Sequence, residues 1–129
     1  MLKVRIDRAR WLHARNKKTG GSSMLLRRSD NRMCCLGFAC LAAGLTEADI
    51  VGVTVPIRLP QQARQQLPSE WFSESAYATA DLIAVLVAAN DTIEVDATRE
   101  RAVIKDGKAL DIDFEFYGEY DTPPPAGAG

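Results

Sequence analysis

The sequence predicts one small α+β domain in which a mainly antiparallel sheet packs against two main helices. Three observations indicate this fold class: alternating apolar and charged residues near both ends, an uncharged apolar segment between them, and a later segment of helical periodicity. The length of 129 residues and the hydrophobic content of 47% fit a single globular core. We expect the domain at residues 1–121 and a disordered Pro/Gly/Ala tail at residues 122–129.

Three strands are predicted, at residues 2–6, 24–28 and 111–117. The first and last alternate apolar with charged residues, basic in the first strand and acidic in the last. If these two strands lie side by side, apolar side chains share one face and opposite charges share the other, which stabilises the pair. The short run Met24-Leu25-Leu26 predicts the third strand, which ends at the turn-forming residues 29–31.

The two main helices are predicted at residues 33–44 and 74–89. The first is apolar on nearly every face, so we expect it to be buried all round, with Asp30 or Asn31 near its N-cap and Gly44 at C′. Gly37 inside it lowers helix propensity unless it lets another backbone approach closely. The second helix shows apolar residues at helical spacing and ends at Asn90.

Shorter elements connect these helices. Residues 46–49 resemble a capping box that starts one helical turn, and Pro60 favours the start of a polar surface helix over the following residues. Residues 98–110 fit either a helix that ends at Gly107 or a hairpin turning at Asp106-Gly107. The helix is the favoured interpretation.

The net charge of −1 conceals a strong asymmetry. Residues 1–32 contain ten Lys or Arg and two Asp, and most of the acidic residues follow later. His13, Arg15, Lys17 and Lys18 lie in the Gly/Ser-containing stretch HARNKKTGGSS, which predicts an exposed mobile loop. Such asymmetry is typical of proteins that bind nucleic acid or a charged partner. The acidic C-terminal part also allows imitation of nucleic-acid charge.

Three cysteines, an odd number, argue against a disulfide framework, and no apolar run is long enough to span a membrane. Charged residues interrupt the N-terminus where a signal peptide would be apolar. We therefore expect a cytoplasmic protein with no membrane association.

Cys34 and Cys35 stand at the expected start of a helix, just after Arg32. A helix N-terminus and a nearby cation lower the pKa of a thiol, so a nucleophilic cysteine with His13 as its base is one hypothesis. The favoured interpretation is that Cys34, Cys35 and Cys40 are small hydrophobic core residues. Their spacing does not match a zinc site, and no nucleotide or cofactor motif is present, so we predict neither metal nor cofactor. The alternating carboxylates of the last strand indicate a salt-bridged sheet face rather than a cation site.

Four segments carry a family resemblance: KVRIDRARWL, LLRRSDNRMCCLGFACLAAGL, the helix end AANDT and the closing DIDFEFY. The chain resembles small, mostly uncharacterised proteins of tailed bacteriophages and prophages. The resemblance implies a phage-encoded accessory product that acts in an infected bacterium, and it transfers no catalytic residue.

The favoured function is therefore non-enzymatic: the chain binds and modulates a host protein, with a defence component as one candidate. The expected contact residues are Arg15, Lys17, Lys18 and the aromatic pair Trp71-Phe72, although core packing is the favoured role of that pair. Two alternatives stay open. One is a cysteine-dependent enzyme that uses Cys34 or Cys35, and the other is nucleic-acid binding through the basic loop.

Overall fold

The computed structural model describes residues 1–13, 24–72, 79–91 and 95–120. Its strands are β1 (Leu2–Asp7) and β2 (Ile112–Tyr117), and its helices are α1 (Cys35–Ala42), α2 (Glu47–Ile50), α3 (Gln61–Arg64), α4 (Thr79–Asn90) and α5 (Asp96–Lys108). Short 3-10 helices occupy Arg8–Arg10, Pro56–Arg58 and Ser69–Phe72. The predicted tail and residues 74–78 of the predicted second helix lie outside the described residues.

The sheet is parallel, which corrects the predicted antiparallel architecture. β1 pairs with β2 in parallel, with Lys3 beside Asp113 and Arg5 beside Glu115. The expected pairing of the two end segments and of their opposite charges is thus confirmed, but the direction is wrong. The alternation of apolar and charged residues fits parallel and antiparallel pairing equally well. The strands are parallel because a helical crossover, rather than a short turn, joins them.

The predicted third strand at residues 24–28 is also wrong. Leu26 and Arg27 each form only an isolated bridge, to Val51 and Arg32 respectively. Leu25 and Leu26 are both buried, so consecutive side chains do not alternate between two faces as they would in a sheet strand. This segment instead lies under α1 and closes a tight turn over residues 27–32.

Helix α1 is buried as predicted, but its N-terminus differs. Met33 is extended because it forms a parallel bridge with Trp11, and Cys34, rather than Asp30 or Asn31, is the N-cap residue. Gly44, with a φ of 114°, occupies the predicted C′ position. A methyl group on Gly37 would overlap the backbone carbonyl of Leu25, which confirms the predicted close approach.

Residues 96–108 form the helix α5, not a hairpin. Arg99, Val103 and Gly107 are buried at intervals of four residues, so they form one face of the helix. A side chain on Gly107 would collide with the ring of Phe114, so this glycine permits helix–strand packing instead of a turn.

The core lies on one face of the sheet, where α1 packs against β1 and α5 against β2. Helix α4 packs on α5 and contacts α1, so the three longest helices surround the inward-facing strand residues. Thr46 and Asp49 form the capping box predicted for α2. Pro60 directly precedes the predicted short polar helix, α3.

Candidate functional site

Of the residues predicted to contact a partner, only Trp71 and Phe72 lie within the described residues. Arg15, Lys17 and Lys18 lie outside the described residues. Trp71 is 3% exposed and belongs to the core, so it does not present its ring to a partner. Phe72 ends the 3-10 helix Ser69–Phe72, and its side chain lies outside the described part of the structure.

The predicted catalytic residues lie on neighbouring segments but are buried. The backbone N–H of Leu12 donates to the carbonyl of Met33 at 2.7 Å, so the segment ending at His13 lies beside the segment that enters α1. His13 is 1% exposed, which corrects its predicted place in an exposed loop. Cys34 and Cys35 are likewise buried.

Burial decides the chemistry of the cysteines. It raises the pKa of the Cys35 thiol well above its usual range, and the neighbouring Cys34 adds to this effect. Burial also raises the pKa of Cys40 to about 12. A thiolate is the reactive form of cysteine, so both thiols are held in the unreactive form at neutral pH. This geometry favours the structural interpretation of the cysteines over nucleophilic catalysis.

Asn90 joins three separate segments at the N-terminus of α1. Its Oδ1 accepts hydrogen bonds from the Trp11 indole at 2.7 Å and from the Cys35 backbone N–H at 2.9 Å. Its Nδ2 donates to the Leu12 carbonyl at 2.9 Å. Cys34 caps α1 without a side-chain hydrogen bond, so Asn90 supplies an acceptor that the helix start lacks locally. The network joins the segment that follows Arg8–Arg10 to the segment that follows the 27–32 turn.

A second cluster ties the end of the described chain to α5. Arg8 makes a two-pronged contact with Glu100, both bonds at 2.8 Å, and the Tyr120 hydroxyl donates to Glu100 at 2.5 Å. Partial burial raises the pKa of the Glu100 carboxyl, but the hydrogen bonds from Arg8 and Tyr120 outweigh it, so the net pKa is lowered. The Tyr120 ring also packs edge-on against the buried His13 ring, with centroids 5.6 Å apart.

Four arginines lie around the turn at residues 27–32, and we define them as the arginine surface: Arg10, Arg27, Arg28 and Arg32. Arg27 and Arg32 both contact Asp30, at 2.6 and 3.2 Å. Arg10 reaches the same turn through the Asn31 carbonyl and pairs with Glu47 at 3.1 Å. Three of the four guanidinium groups thus contact a carboxylate around one turn.

The turn itself is built to hold these side chains. The Arg27 N–H donates to the Arg32 carbonyl and the Asn31 N–H donates to the Arg27 carbonyl, which closes the turn from both sides. Asn31 adopts a φ of 60°, a conformation that asparagine tolerates better than most residues. Hydrogen bonds from Arg27, and then from the Arg32 backbone, lower the pKa of Asp30 despite its partial burial, so the carboxylate stays charged.

Arg28 differs from its neighbours in the arginine surface. Its side chain is exposed, its guanidinium lies near Gly52, and it makes no hydrogen bond or ion pair to any described residue. An exposed guanidinium that internal carboxylates do not neutralise is available to an acidic partner.

The outer face of the sheet is internally compensated. Arg5 lies 3.5 Å from Glu115, and its guanidinium lies 4.3 Å from the centre of the Tyr117 ring. In the described part of the chain, no group of three or more His, Cys, Asp or Glu residues is arranged to hold a metal ion. Among the described helices, none has the length and apolar character needed to cross a membrane.

Comparison with known proteins adds no assignment. The chain matches no protein-family model, no curated protein and no solved structure.

Two buried polar residues in this region, Asn90 and Arg99, are not predictable as buried from the sequence pattern. Asn90 was expected only to end a helix, and Arg99 was expected on an ordinary helix, but both are buried, at 1% and 0% exposure. Asn90 directly follows a long apolar run. This position is the one local indication that the Asn90 side chain is buried. Nothing local distinguishes Arg99, which bonds Asp96 at 2.7 Å and faces the Trp11 ring.

Proposed function

We propose that this chain is a non-enzymatic binding protein whose arginine surface recognises an acidic surface of a host protein. Consistent with its resemblance to phage accessory proteins, it would act in the cytoplasm of an infected bacterium and modulate that partner. The observation that carries the proposal is that Arg10, Arg27 and Arg32 are held around one turn, while the exposed Arg28 on the same turn forms no ion pair to a described residue.

Two features support binding rather than catalysis. Cys34 and Cys35, the candidate nucleophiles, are buried, and the pKa of Cys35 is raised rather than lowered. The arginine surface is instead pre-organised, because Asp30 orients Arg27 and Arg32 before any partner arrives. Pre-organisation reduces the entropy lost when such side chains bind.

The test is capture of partners from bacterial lysate by the tagged protein and by the Arg28→Glu variant. Arg28 has no described partner, so its reversal should leave the fold intact. The matched control is Arg101→Glu, which reverses an exposed arginine on α5 whose one side-chain hydrogen bond to a described residue goes to Thr98. We expect a saturable, nuclease-resistant protein partner whose affinity falls roughly tenfold or more in Arg28→Glu and is unchanged in Arg101→Glu.

Three results would contradict the proposal. Equal capture by Arg28→Glu would remove the arginine surface from the interface. Release of the captured material by nuclease would favour the nucleic-acid alternative, in which affinity falls steeply with salt. An eluate without any saturable partner would exclude a stable protein complex.

A further inference from the structure

An open cavity at the surface lies beside α3, and the proposed function does not use it. Its volume is about 380 Å³, and it is lined by Gln61, Arg64, Gln65, Leu67 and Ser69. This volume lies within the range of roughly 300–1,000 Å³ that is common for small-molecule sites. One wall is apolar, because Leu67 is buried, while Gln61, Gln65 and Ser69 are exposed at the rim.

Arg64 is the unusual member of this group. Its Nε is buried and has no hydrogen-bond partner, and no ion pair to a described residue neutralises its guanidinium. Buried polar groups are nearly always hydrogen-bonded, and an unpaired buried donor costs about 1–3 kcal/mol, more when it is charged. Most other arginines near the core have partners, such as Arg8 with Glu100 and Arg99 with Asp96. That Nε is closed off from solvent, but Arg64 is only half-buried and lines the cavity, so the accessible part of its unpaired guanidinium is available to an acceptor there.

The lining favours an oxyanion as that acceptor. Arg64, the amides of Gln61 and Gln65 and the Ser69 hydroxyl all offer hydrogen-bond donors, and none of the five lining side chains is acidic. A terminal phosphate presents three acceptor oxygens, which suits several donors better than the two oxygens of a carboxylate. The planar guanidinium also matches phosphate geometry with two parallel bonds.

We propose that this cavity binds the phosphate group of a small organic phosphate, with Arg64 as the cationic anchor. The Gln61 and Gln65 amides and the Ser69 hydroxyl complete the donor set, and Leu67 contacts the non-polar part of the ligand. The site shares no residue with the arginine surface, so the test of phosphate binding is independent of the test of the proposed function.

The test is ¹⁵N NMR of the full chain during titration with glycerol phosphate at constant ionic strength. We expect saturable shifts of the Arg64 Nε–H and of the Gln61 and Gln65 side-chain amides. Inorganic phosphate should shift the same signals more weakly, because it lacks a carbon skeleton to contact Leu67. Shifts that do not saturate, or that acetate produces equally well, would overturn the assignment.

A pair of matched variants makes the result specific. Gln65→Glu places a carboxylate on the cavity wall, where it pairs with Arg64 and repels phosphate, and Gln65 is exposed so the fold should tolerate it. Gln62→Glu makes the same change on the same helix at an exposed position outside the lining. We expect phosphate affinity to fall roughly fivefold or more in Gln65→Glu and to stay unchanged in Gln62→Glu. Equal affinity in both variants would refute the site.

Discussion

Replacing Asn90 with alanine should destabilise the protein more than almost any other single change to a polar residue. Asn90 is 1% exposed, and its side chain satisfies the Trp11 indole N–H, the Cys35 N–H and the Leu12 carbonyl. Alanine leaves all three groups without this partner. A buried polar group that loses its partner costs about 1–3 kcal/mol.

Three such groups predict a loss of about 3–5 kcal/mol in the free energy of unfolding, since relaxation and water entry reduce the upper end. Small domains are stable by only about 5–15 kcal/mol, so the variant should unfold at much lower denaturant. The measurement is urea unfolding followed by far-ultraviolet circular dichroism. Gln62→Ala, at an exposed position, is the control and should change stability by about 0.5 kcal/mol or less.

A double-mutant cycle with Trp11→Phe tests the mechanism itself. Phenylalanine keeps most of the aromatic packing but has no N–H to donate to Asn90. Asn90→Ala should therefore cost less in the Trp11→Phe background, with a coupling energy of about 1 kcal/mol or more. A loss below about 1 kcal/mol for Asn90→Ala alone, or strictly additive effects in the cycle, would refute the reasoning.

Three further predictions follow from the packing and titration of named groups. Gly37→Ala should destabilise the folded protein by about 2 kcal/mol or more, although alanine is the better helix former by about 1 kcal/mol. A variant that is more stable in thermal unfolding would disprove the close approach of the Leu25 backbone. The pKa of Glu100 is lower in the folded protein than its ordinary value of 4.5. The Glu100 carboxylate therefore contributes to the free energy of unfolding above pH 4.5, and this contribution is lost as the pH falls through the folded-state pKa. In measurements of the free energy of unfolding against pH, Glu100→Gln should reduce the loss of stability at acidic pH. Glu115→Gln, in an exposed ion pair, should leave that loss unchanged. Cys35 and Cys40 should react with a thiol reagent at pH 8 about 100-fold more slowly in the native protein than in urea, and equal rates would contradict their burial.

The local elements were largely predictable because their signals are short-range. The uncharged run around Cys35–Ala42 predicts a buried helix, and Gly44 and the Thr46–Asp49 capping box mark its neighbours. Residues 96–108 form a helix because Arg99, Val103 and Gly107 lie on one buried face. In the sequence, the turn-forming pair Asp106-Gly107 made this helical pattern ambiguous. Periodicity and capping depend on residues within a few positions of one another.

The candidate site was less predictable, because its members come from distant segments. Nothing within ten residues of Asn90 indicates that it supplies the acceptor for the start of α1, 55 positions away. His13 follows a basic residue-rich segment and precedes another, yet the packing of Trp11 and Tyr120 buries it. The arginine surface was predictable in composition, since the N-terminal quarter is strongly basic, but its assembly around Asp30 was not.

The sequence by itself determined which segments carry the core, that the two end segments pair with each other, and that their outer charges are complementary. Each of these properties follows from alternation, periodicity or charge along a short stretch of chain. Only the tertiary structure decided that β1 and β2 are parallel, that residues 24–28 form a turn-bound segment instead of a strand, and that Asn90 organises the helix start. Strand direction and buried polar networks depend on how the intervening helices cross and pack, and that is a property of the whole chain rather than of any window within it.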